Sequence, residues 1–243
     1  MNGIVLFKSC QFIEKELKML DSKKIKLVIF DLDGTLVDTE KIYHAGWRHV
    51  LKDYGVSISQ EILDQMRGGN RQHNNHIIQN LLGGNEDLAK KAREKRNVYF
   101  KYAISEGKID RKDGALELLK YLKEKAIPIA VATSSPQDSG ESVLKSSGLM
   151  SYIDFAIYGD QVEGGKPNPD IYLKVLEHYQ LNGQKAVAFE DSLNGLLAST
   201  RAKIPTYYVP EVPLKDEDLE QIDEAYLVGV YASLIEVKNE LEK

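Results

Sequence analysis

The sequence is poor in cysteine and has no long hydrophobic run. Cys10 is the single cysteine among 243 residues, so the chain cannot form an internal disulfide, as is typical of proteins in the reducing cytosol. No apolar run approaches the roughly 20 residues that a membrane-spanning helix needs. The first residues lack the basic segment and the small-residue cleavage pattern of a secretory signal. We therefore expect a cytoplasmic protein with no membrane partner.

The sequence also lacks an excess of positive charge. Its 32 lysines and arginines are outnumbered by 37 aspartates and glutamates, which gives a net charge of -5 at pH 7. Nucleic-acid-binding domains are commonly basic, because contacts with phosphate supply much of their affinity. We expect no nucleic-acid partner, and an anionic ligand would have to be met by local cationic groups or by a metal ion.

Short apolar segments alternate with helical patterns from Lys26 onward. Five segments have the character of strands: KLVIF, IPIAVAT, FAIYG, AVAFE and TYYV. Near-continuous apolar strands that alternate with helices indicate a parallel sheet covered on both faces. The sequence therefore predicts an α/β fold whose core is a doubly wound parallel Rossmann-like sheet, with ligands at the carboxyl ends of the strands.

The interval between the first two predicted strands is too long for one crossover helix. Residues 41–107 contain periodic stretches such as IYHAGWRHVLKDYG, separated by paired glycines. We expect this segment to form an inserted all-helical cap that lies over the strand ends. The α/β core would then consist of residues 25–40 and 108–243.

The first 24 residues precede the predicted core and carry an apolar stripe. Ile13, Leu17 and Leu20 fall on one face of a helix. We expect residues 1–24 to form a helical extension that packs on the body of the protein, with an interfacial or partner-binding helix as the alternative.

Two acidic residues directly follow the first predicted strand. Asp31 and Asp33 lie two positions apart in FDLDGT, where their like charges repel each other. A turn is one interpretation, because Asp-Gly between apolar segments is a strong hairpin signal. A functional site is the other interpretation, and polar residues at further strand ends would support it.

Polar residues also end the second predicted strand. Thr133, Ser134 and Ser135 follow the apolar run, and Pro136 suits the first position of a helix that Ser135 would cap. The free N–H groups at such a helix N-terminus favour an anion. Capping alone is the commoner explanation of a Ser-Ser-Pro segment.

Two more acids and a lysine complete the set. Glu190 and Asp191 end the fourth predicted strand, and Lys166 stands in GGKPNPD. Taken singly, acids at a helix start complement the helix dipole, and a lysine is usually a surface charge. Taken together, these carboxylates, hydroxyls and the lysine predict a phosphate site with a hard dication. Mg²⁺ is the expected ion, because it prefers oxygen ligands.

The four segments, in this order, resemble the motifs of the haloacid dehalogenase-like hydrolase superfamily. The resemblance rests on DLDGTLVDTE, on Thr133 after the second strand, on Lys166, and on the Glu190-Asp191 pair. It covers residues 26–209. The helical insert is similar to that of the C1-capped members of subfamily I, and the group with β-phosphoglucomutase and the small-metabolite phosphatases is the most similar.

The resemblance implies a role for each acid. Asp31 would be the nucleophile that attacks phosphorus to form an aspartyl-phosphate, and Asp33 would protonate the leaving oxygen and then deprotonate the attacking water. Mg²⁺ would bind Asp31, the backbone carbonyl of Asp33 and a third acid, for which Asp191 is favoured over Glu190. Asp33 also indicates phosphate ester chemistry, because the dehalogenating and phosphonate-cleaving members lack this aspartate.

The same resemblance implies the groups that bind the phosphoryl group and the substrate. Thr133, the N–H of Ser134 and Lys166 would offset the charge of the phosphoryl group. In the cap, His44 and Arg71 stand where related proteins place substrate-facing groups, and Arg71 is the better candidate for a second anionic group. Both have an ordinary alternative as side chains without a role, since arginine is usually exposed.

Several positions depart from the resembled pattern, among them Asp113, which with Gly114 replaces a usual proline-glycine pair. Pro136 and Gln137 stand where the mutases tend to have a lysine and an asparagine that hold a second phosphate. This difference favours a phosphatase. Lys203 stands where relatives usually have glycine, which predicts a helix end that is built differently.

These observations predict a Mg²⁺-dependent phosphomonoester hydrolase that acts on a small phosphorylated metabolite, either a sugar phosphate or a nucleotide-derived phosphate. The alternative enzyme is a β-phosphoglucomutase-type hexose-phosphate mutase, which returns the phosphoryl group to sugar rather than to water. A binding or regulatory protein without turnover is a third alternative, but the sequence retains every motif residue. We expect a monomer or a weak dimer.

Overall fold

The structure of the chain is a computed structural model, and it describes the following residues: 25–66, 71–107, 109–211, 218 and 220–242. The predicted N-terminal extension lies outside the described residues.

The described residues form eight strands. In chain order these are β1 (Leu27–Phe30), β2 (Val37–Asp38), β3 (Asp110–Arg111), β4 (Ile129–Thr133), β5 (Phe155–Tyr158), β6 (Ala186–Glu190), β7 (Thr206–Tyr208) and β8 (Leu227–Val230). Six of them form a parallel sheet in the order β5-β4-β1-β6-β7-β8. The five predicted strands are confirmed as β1, β4, β5, β6 and β7. The sequence pattern misses β8, because its four residues include a glycine and lie only half-buried at the sheet edge.

The described residues also form nine α-helices. In chain order these are α1 (Thr39–Lys52), α2 (Gln60–Met66), α3 (Arg71–Leu81), α4 (Glu86–Ser105), α5 (Ala115–Glu124), α6 (Gln137–Ser146), α7 (Asp170–Tyr179), α8 (Leu193–Arg201) and α9 (Leu234–Leu241). None of these helices in the described part of the chain combines the length and the apolar character that crossing a bilayer requires.

Helices cover both faces of the sheet. Val28 and Phe30 belong to an apolar cluster with side chains of α5, α6 and α9, whereas Leu27 and Ile29 pack with side chains of α7 and α8. Alternate residues of a strand point to opposite faces, so the four buried residues of β1 supply both cores. The predicted doubly wound α/β sheet is therefore confirmed.

The four helices α1 to α4 form the predicted all-helical insert between β1 and β3. They have an apolar cluster of their own, which includes Trp47, Leu63, Ile78 and Ala92. Trp47 is only 4% exposed, so it serves the packing of the insert. The exact division between cap and core stays a prediction.

The chain enters and leaves the insert through a short antiparallel pair. Val37 pairs with Arg111 and Asp38 with Asp110, so β2 pairs with β3. The interpretation of Asp33-Gly34 as a hairpin turn is therefore wrong, because the segment after the turn does not pair with β1. Asp38 instead caps α1, where its Oδ1 accepts a hydrogen bond from the N–H of Lys41 at 3.3 Å.

The end of α8 adopts the geometry that glycine favours, although the residue is lysine. Lys203 has a φ of 62°, which lies in the left-handed region. Its Nζ lies 3.2 Å from Asp223 Oδ2 and 5.0 Å from the centre of the Tyr226 ring. The expectation of a differently built backbone at this helix end is therefore wrong.

Candidate active site

The candidate site lies at the carboxyl ends of three neighbouring strands. The chain runs from β1 through β4 to β5 and then returns to β6 on the other side of β1. In open α/β sheets, ligands bind in the crevice at such a reversal of strand order. Asp31 follows β1, Thr133 ends β4, and Glu190 ends β6. The fold therefore brings three predicted site residues to one edge of the sheet.

Lys166 reaches this edge from the loop before α7 and makes two ion pairs. Its Nζ lies 2.5 Å from Asp31 Oδ1 and 2.6 Å from Glu190 Oε1. The lysine side chain is 5% exposed, so the interpretation as an ordinary surface charge is wrong. Burial alone would lower the pKa of Lys166, but the charges of Asp31 and Glu190 raise it above its usual range. Lys166 therefore stays positively charged.

Three carboxylates share the site with this one lysine. One oxygen from each of Asp31, Glu190 and Asp191 lies within 4.8 Å of the others. Burial raises the pKa of Asp31 well above its usual range, and Glu190 and Asp191 raise it further against the opposing effect of Lys166. Burial and the charge of Glu190 also raise the pKa of Asp191 to about 7. The group therefore favours an additional positive charge.

The donor set fits a hard divalent cation. The three side chains offer only oxygen, which is the ligand type that Mg²⁺ and Ca²⁺ prefer. Glu190 is fully buried, and its Oε2 has no hydrogen-bond partner among the described residues. Such an oxygen is costly to bury, and a nearby cation would compensate for its charge. Simple complementation of a helix dipole does not explain this burial, so the cluster could hold a metal ion.

The side chain of Asp33 turns away from this cluster towards the end of β4. Its Oδ2 accepts hydrogen bonds from Thr133 Oγ1 at 3.0 Å and from Ser135 Oγ at 2.8 Å. Its Oδ1 is buried and has no hydrogen-bond partner in the described part of the chain. The two aspartates of the first motif therefore lie in different surroundings. The metal role predicted for Asp33 concerns its backbone carbonyl and stays a prediction.

The N-terminus of α6 differs from the sequence prediction. Ser135 does not cap the helix, because the residue before the first helical position is Pro136 and the Ser135 hydroxyl is engaged by Asp33. The N–H of Gln137 points instead to Asp160, whose two carboxylate oxygens lie at 3.2 and 3.3 Å. This N–H group is therefore taken by a side chain of the protein.

The turn after Asp33 packs closely on the fourth motif. Gly34 has a φ of 96°, and a Cβ atom added there would lie 2.1 Å from Asp191 Oδ2. Only glycine suits both the conformation and the space. The neighbouring Thr35 donates a hydrogen bond from Oγ1 to Asp191 Oδ1 at 3.1 Å. The turn thereby positions Asp191, a function that the sequence analysis did not assign.

Tyr172 is a site residue that sequence reasoning missed. It lies on α7 with no exposed surface, and its hydroxyl donates a hydrogen bond to Glu190 Oε1. In the sequence, Tyr172 falls among the apolar residues of a helical pattern, so nothing marks its hydroxyl. Its distance of six positions from Lys166 is the only signal that could have drawn attention to it.

On the insert, Tyr43 lies near Asp33 at the strand ends. Burial raises the pKa of Tyr43, and the charge of nearby Asp33 raises it further. The Tyr43 ring stacks on Phe100 with centroids 4.5 Å apart. His44 is also buried, and its Nε2 lies 3.4 Å from Glu40 Oε2 on the same helix. The substrate role of His44 stays a prediction.

Ser134 and Arg71 are the two remaining predicted site residues. Ser134 directly follows β4 and has an exposed side chain, and the role predicted for it uses its N–H group. Arg71 is the first residue of α3, and its side chain lies outside the described residues. The substrate role of Arg71 stays a prediction.

Comparison with known proteins independently supports the resemblance to the haloacid dehalogenase-like hydrolases. The sequence model described as haloacid dehalogenase-like hydrolase matches residues 28–209. A phosphorylated carbohydrates phosphatase from Thermotoga maritima is 34% identical over 187 residues, which are 76% of this chain and 84% of the relative. Validoxylamine A 7'-phosphate phosphatase from Streptomyces hygroscopicus subsp. limoneus is 31% identical over 183 residues, which are 74% of this chain and 83% of the relative.

A solved structure gives the same result for the fold. The crystal structure of CbbY from Rhodobacter sphaeroides in complex with phosphate is similar to this chain with a TM-score of 0.72 and 25% identity. The similarity covers 90% of this chain and 100% of that one. Because the family match spans well over half of the sequence, the chain belongs to the haloacid dehalogenase-like hydrolase family and is an enzyme of the phosphatase kind found among these relatives.

Proposed function

We propose that the protein is a Mg²⁺-dependent phosphomonoester hydrolase that acts on a small phosphorylated metabolite through an aspartyl-phosphate. The observation that carries the proposal is the pair of aspartates in unlike surroundings. Asp31 lies buried against Lys166, whereas Asp33 is held by two hydroxyl groups. One acid can therefore act as nucleophile while the other transfers protons.

The reaction would proceed in two displacements at phosphorus. In the first, an Asp31 carboxylate oxygen forms a bond to phosphorus while the bond to the leaving oxygen breaks, and Asp33 gives that oxygen a proton. In the second, a water molecule attacks phosphorus, Asp33 takes the proton of the water, and the bond to Asp31 breaks. The products are the alcohol and inorganic phosphate, and both aspartates return to their starting states.

The charge of the phosphoryl group would be offset by groups at the end of β4 and in the loop before α7. Lys166 has a positive charge beside the nucleophile, and Thr133 and the N–H of Ser134 lie at the end of β4. Fixed donors of this kind supply most of the catalysis in phosphoryl transfer. The 2.5 Å contact between Lys166 and Asp31 also favours the ionised form of Asp31, which is the form that attacks.

Asp31, Asp191, Glu190 and the backbone carbonyl of Asp33 are the groups that would hold Mg²⁺. When bound, the ion supplies positive charge for the phosphoryl oxygens and offsets the repulsion among the carboxylates. The oxygen-only donor set and the surplus of three carboxylates over one lysine support this assignment.

A sugar phosphate or a nucleotide-derived phosphate is the proposed substrate class. The relative from Thermotoga maritima is named for phosphorylated carbohydrates, and the relative from Streptomyces hygroscopicus is named for validoxylamine A 7'-phosphate. Both names describe a phosphate ester of a small polyhydroxylated compound. By analogy, we place the substrate of this chain in the same chemical range.

The surroundings of Gln137 favour hydrolysis over the mutase reaction. Its side chain donates to Glu141 Oε1 at 2.8 Å and accepts from Gln161 Nε2 at 3.1 Å. Its backbone N–H points to Asp160. Gln137 is therefore occupied by neighbouring residues, so it is poorly placed to hold the second phosphate of a hexose bisphosphate.

A phosphate-release screen tests the proposal. The purified full chain is assayed with Mg²⁺ against sugar phosphates and nucleotides, and β-glucose 1-phosphate is also followed for conversion to glucose 6-phosphate. We expect inorganic phosphate from one substrate class and reversible loss of activity in excess chelator. Conversion without release would establish the mutase instead, and absence of both reactions would favour a binding protein.

A further inference from the structure

We propose that Tyr172 is a positioning residue of the active site, whose hydroxyl holds Glu190 and thereby sets where Lys166 presents its charge to a bound phosphoryl group. This inference rests on the proposed phosphatase function. It assigns a role to a residue outside the motif positions that the sequence marks.

The contacts form a short buried chain that ends at the nucleophile. The Tyr172 hydroxyl donates to Glu190 Oε1, and Lys166 Nζ donates to the same oxygen at 2.6 Å. Lys166 Nζ also donates to Asp31 Oδ1 at 2.5 Å. Tyr172 and Glu190 have no exposed surface, so water cannot replace either contact without a rearrangement of the core.

The ring of Tyr172 restricts Lys166 from a second side. Lys166 Nζ lies 5.3 Å from the centre of the Tyr172 ring, which is within the range of a cation–π interaction. The ammonium group has three N–H donors. Two of them are directed to Glu190 and Asp31, so the third can face a phosphoryl oxygen.

Glu190 is the link through which the hydroxyl acts. Its Oε2 has no hydrogen-bond partner among the described residues. Its Oε1 accepts hydrogen bonds from Lys166 and from the Tyr172 hydroxyl. Without the Tyr172 hydroxyl, Lys166 would be the one remaining donor in this pair of contacts. Two donors to one carboxylate oxygen share its negative charge, so the loss of one donor leaves more of that charge to attract the other. Lys166 would then shift towards Glu190 and away from Asp31.

Core packing alone does not account for a tyrosine at this position. The ring belongs to the apolar cluster between the sheet and α7 and α8, and phenylalanine would fill the same space. A hydroxyl group with no access to solvent is costly unless it is hydrogen-bonded. The buried hydroxyl of Tyr172 meets this requirement by its hydrogen bond to the active-site carboxylate of Glu190.

The substitution Tyr172→Phe tests the proposal, because it removes the hydroxyl and keeps the ring. The readouts are kcat, KM and the affinity for inorganic phosphate measured by titration calorimetry with Mg²⁺ present. We expect phosphate to bind about tenfold more weakly and kcat to fall by about tenfold, the effect expected for one charge-assisted hydrogen bond. The melting temperature should change little.

Tyr207→Phe is the matched control. Tyr207 is 2% exposed and packs on the opposite face of the sheet against Phe189, so its substitution also removes a buried hydroxyl. We expect its phosphate affinity to equal that of the wild type. A second test uses Glu190→Gln, in which adding Tyr172→Phe should have little further effect because both act through one contact.

The outcomes separate this inference from the proposed function. Unchanged phosphate affinity in Tyr172→Phe, or loss of folding in this variant alone, would overturn the positioning role and leave Tyr172 as a packing residue. A further tenfold loss of phosphate affinity when Tyr172→Phe is added to Glu190→Gln would also overturn it. If no ester is hydrolysed by the wild type but Tyr172→Phe still weakens phosphate binding, the proposed function fails while the positioning role stands.

Discussion

At the scale of single residues, the site is a balance of buried charges. Asp31, Glu190 and Asp191 bring three carboxyl groups together, and Lys166 is the cation in contact with two of them. Buried like charges are tolerated when a cation or a proton compensates for them. The pKa values of Asp31 and Asp191 are raised, which shows that these carboxyl groups need a cation or a proton to compensate for their charge. Under the proposed function, a bound metal ion would meet this need.

Ser135→Ala should selectively slow substrates that need acid catalysis. Removing the 2.8 Å hydrogen bond from Ser135 Oγ to Asp33 Oδ2 leaves Thr133 as the remaining recorded hydroxyl donor to this oxygen, so Asp33 is held less precisely. General acid catalysis contributes about 10² to 10⁴ to the rate, and we expect kcat/KM for a sugar phosphate to fall by about tenfold. The kcat/KM for an aryl phosphate, whose leaving group needs no proton, should stay near the wild-type value, because kcat/KM reports the first displacement and not the later step in which Asp33 acts as a base.

Ser142→Ala is the control for this prediction. Ser142 lies on α6, and its hydroxyl donates to the backbone carbonyl of Asp138 at 2.7 Å, away from the acids. Equal losses of kcat/KM for the sugar phosphate and the aryl phosphate in Ser135→Ala would contradict a link to the acid function of Asp33.

The residues that follow directly after strands were predictable from sequence, and those that act through tertiary contacts were not. Asp31 and Glu190 stand next to apolar strands, so their positions at the sheet edge follow from the parallel fold. Ser135 reaches an acid that is 102 positions away in the sequence, and Tyr172 acts from within a helical pattern. Local patterns contain no information on such partners.

At the scale of elements, helix ends depend on partners from other segments. Asp160 meets the first N–H of α6 from a short 3₁₀ helix 23 positions later, so the Ser-Ser-Pro segment is not needed as a cap. Asp38, in contrast, caps α1 locally. The sequence predicts the helices from their apolar periodicity, but the choice of capping residue follows from the tertiary fold.

Asp38, which lies at the entrance to the insert, should make the free energy of unfolding depend on pH. Although burial alone would raise the pKa of Asp38, hydrogen bonds from Lys41 hold it below its usual range. The stabilisation is therefore fully present above the pKa of the unfolded chain, about 4, and is lost as pH falls through the lower pKa of the folded protein.

Two substitutions separate the cap from the charge of Asp38. Asp38→Ala should lower the free energy of unfolding by about 1 kcal/mol at pH 7, the usual value of a lost N-cap. Asp38→Asn keeps a capping oxygen, so it should lower the free energy of unfolding by less at pH 7. This difference from the wild type should shrink as the pH falls below about 4. A difference from wild type that grows on acidification, measured by denaturant unfolding, would refute the assignment.

At the scale of the whole molecule, the order of the motifs along the chain places the insert beside the candidate active site. The chain leaves the sheet just after Asp31 and Asp33 and enters α1 at Thr39. Tyr43 lies close enough to Asp33 for that acid to raise its pKa. The alternation of strands and helices was sufficient to predict the doubly wound sheet and the insert. The packing between insert and strand ends was not predictable from local patterns.

The central claim is that Asp31 is the nucleophile of a phosphatase, and phosphate release by Asp31→Asn tests it most directly. Asparagine keeps the size of the side chain but cannot form the aspartyl-phosphate. With the best substrate from the screen and saturating Mg²⁺, we expect phosphate release to fall by at least about 10³-fold, as for other covalent nucleophiles, while the circular dichroism spectrum stays that of the wild type. A correctly folded Asp31→Asn variant that retains a tenth or more of the wild-type rate would contradict the claim.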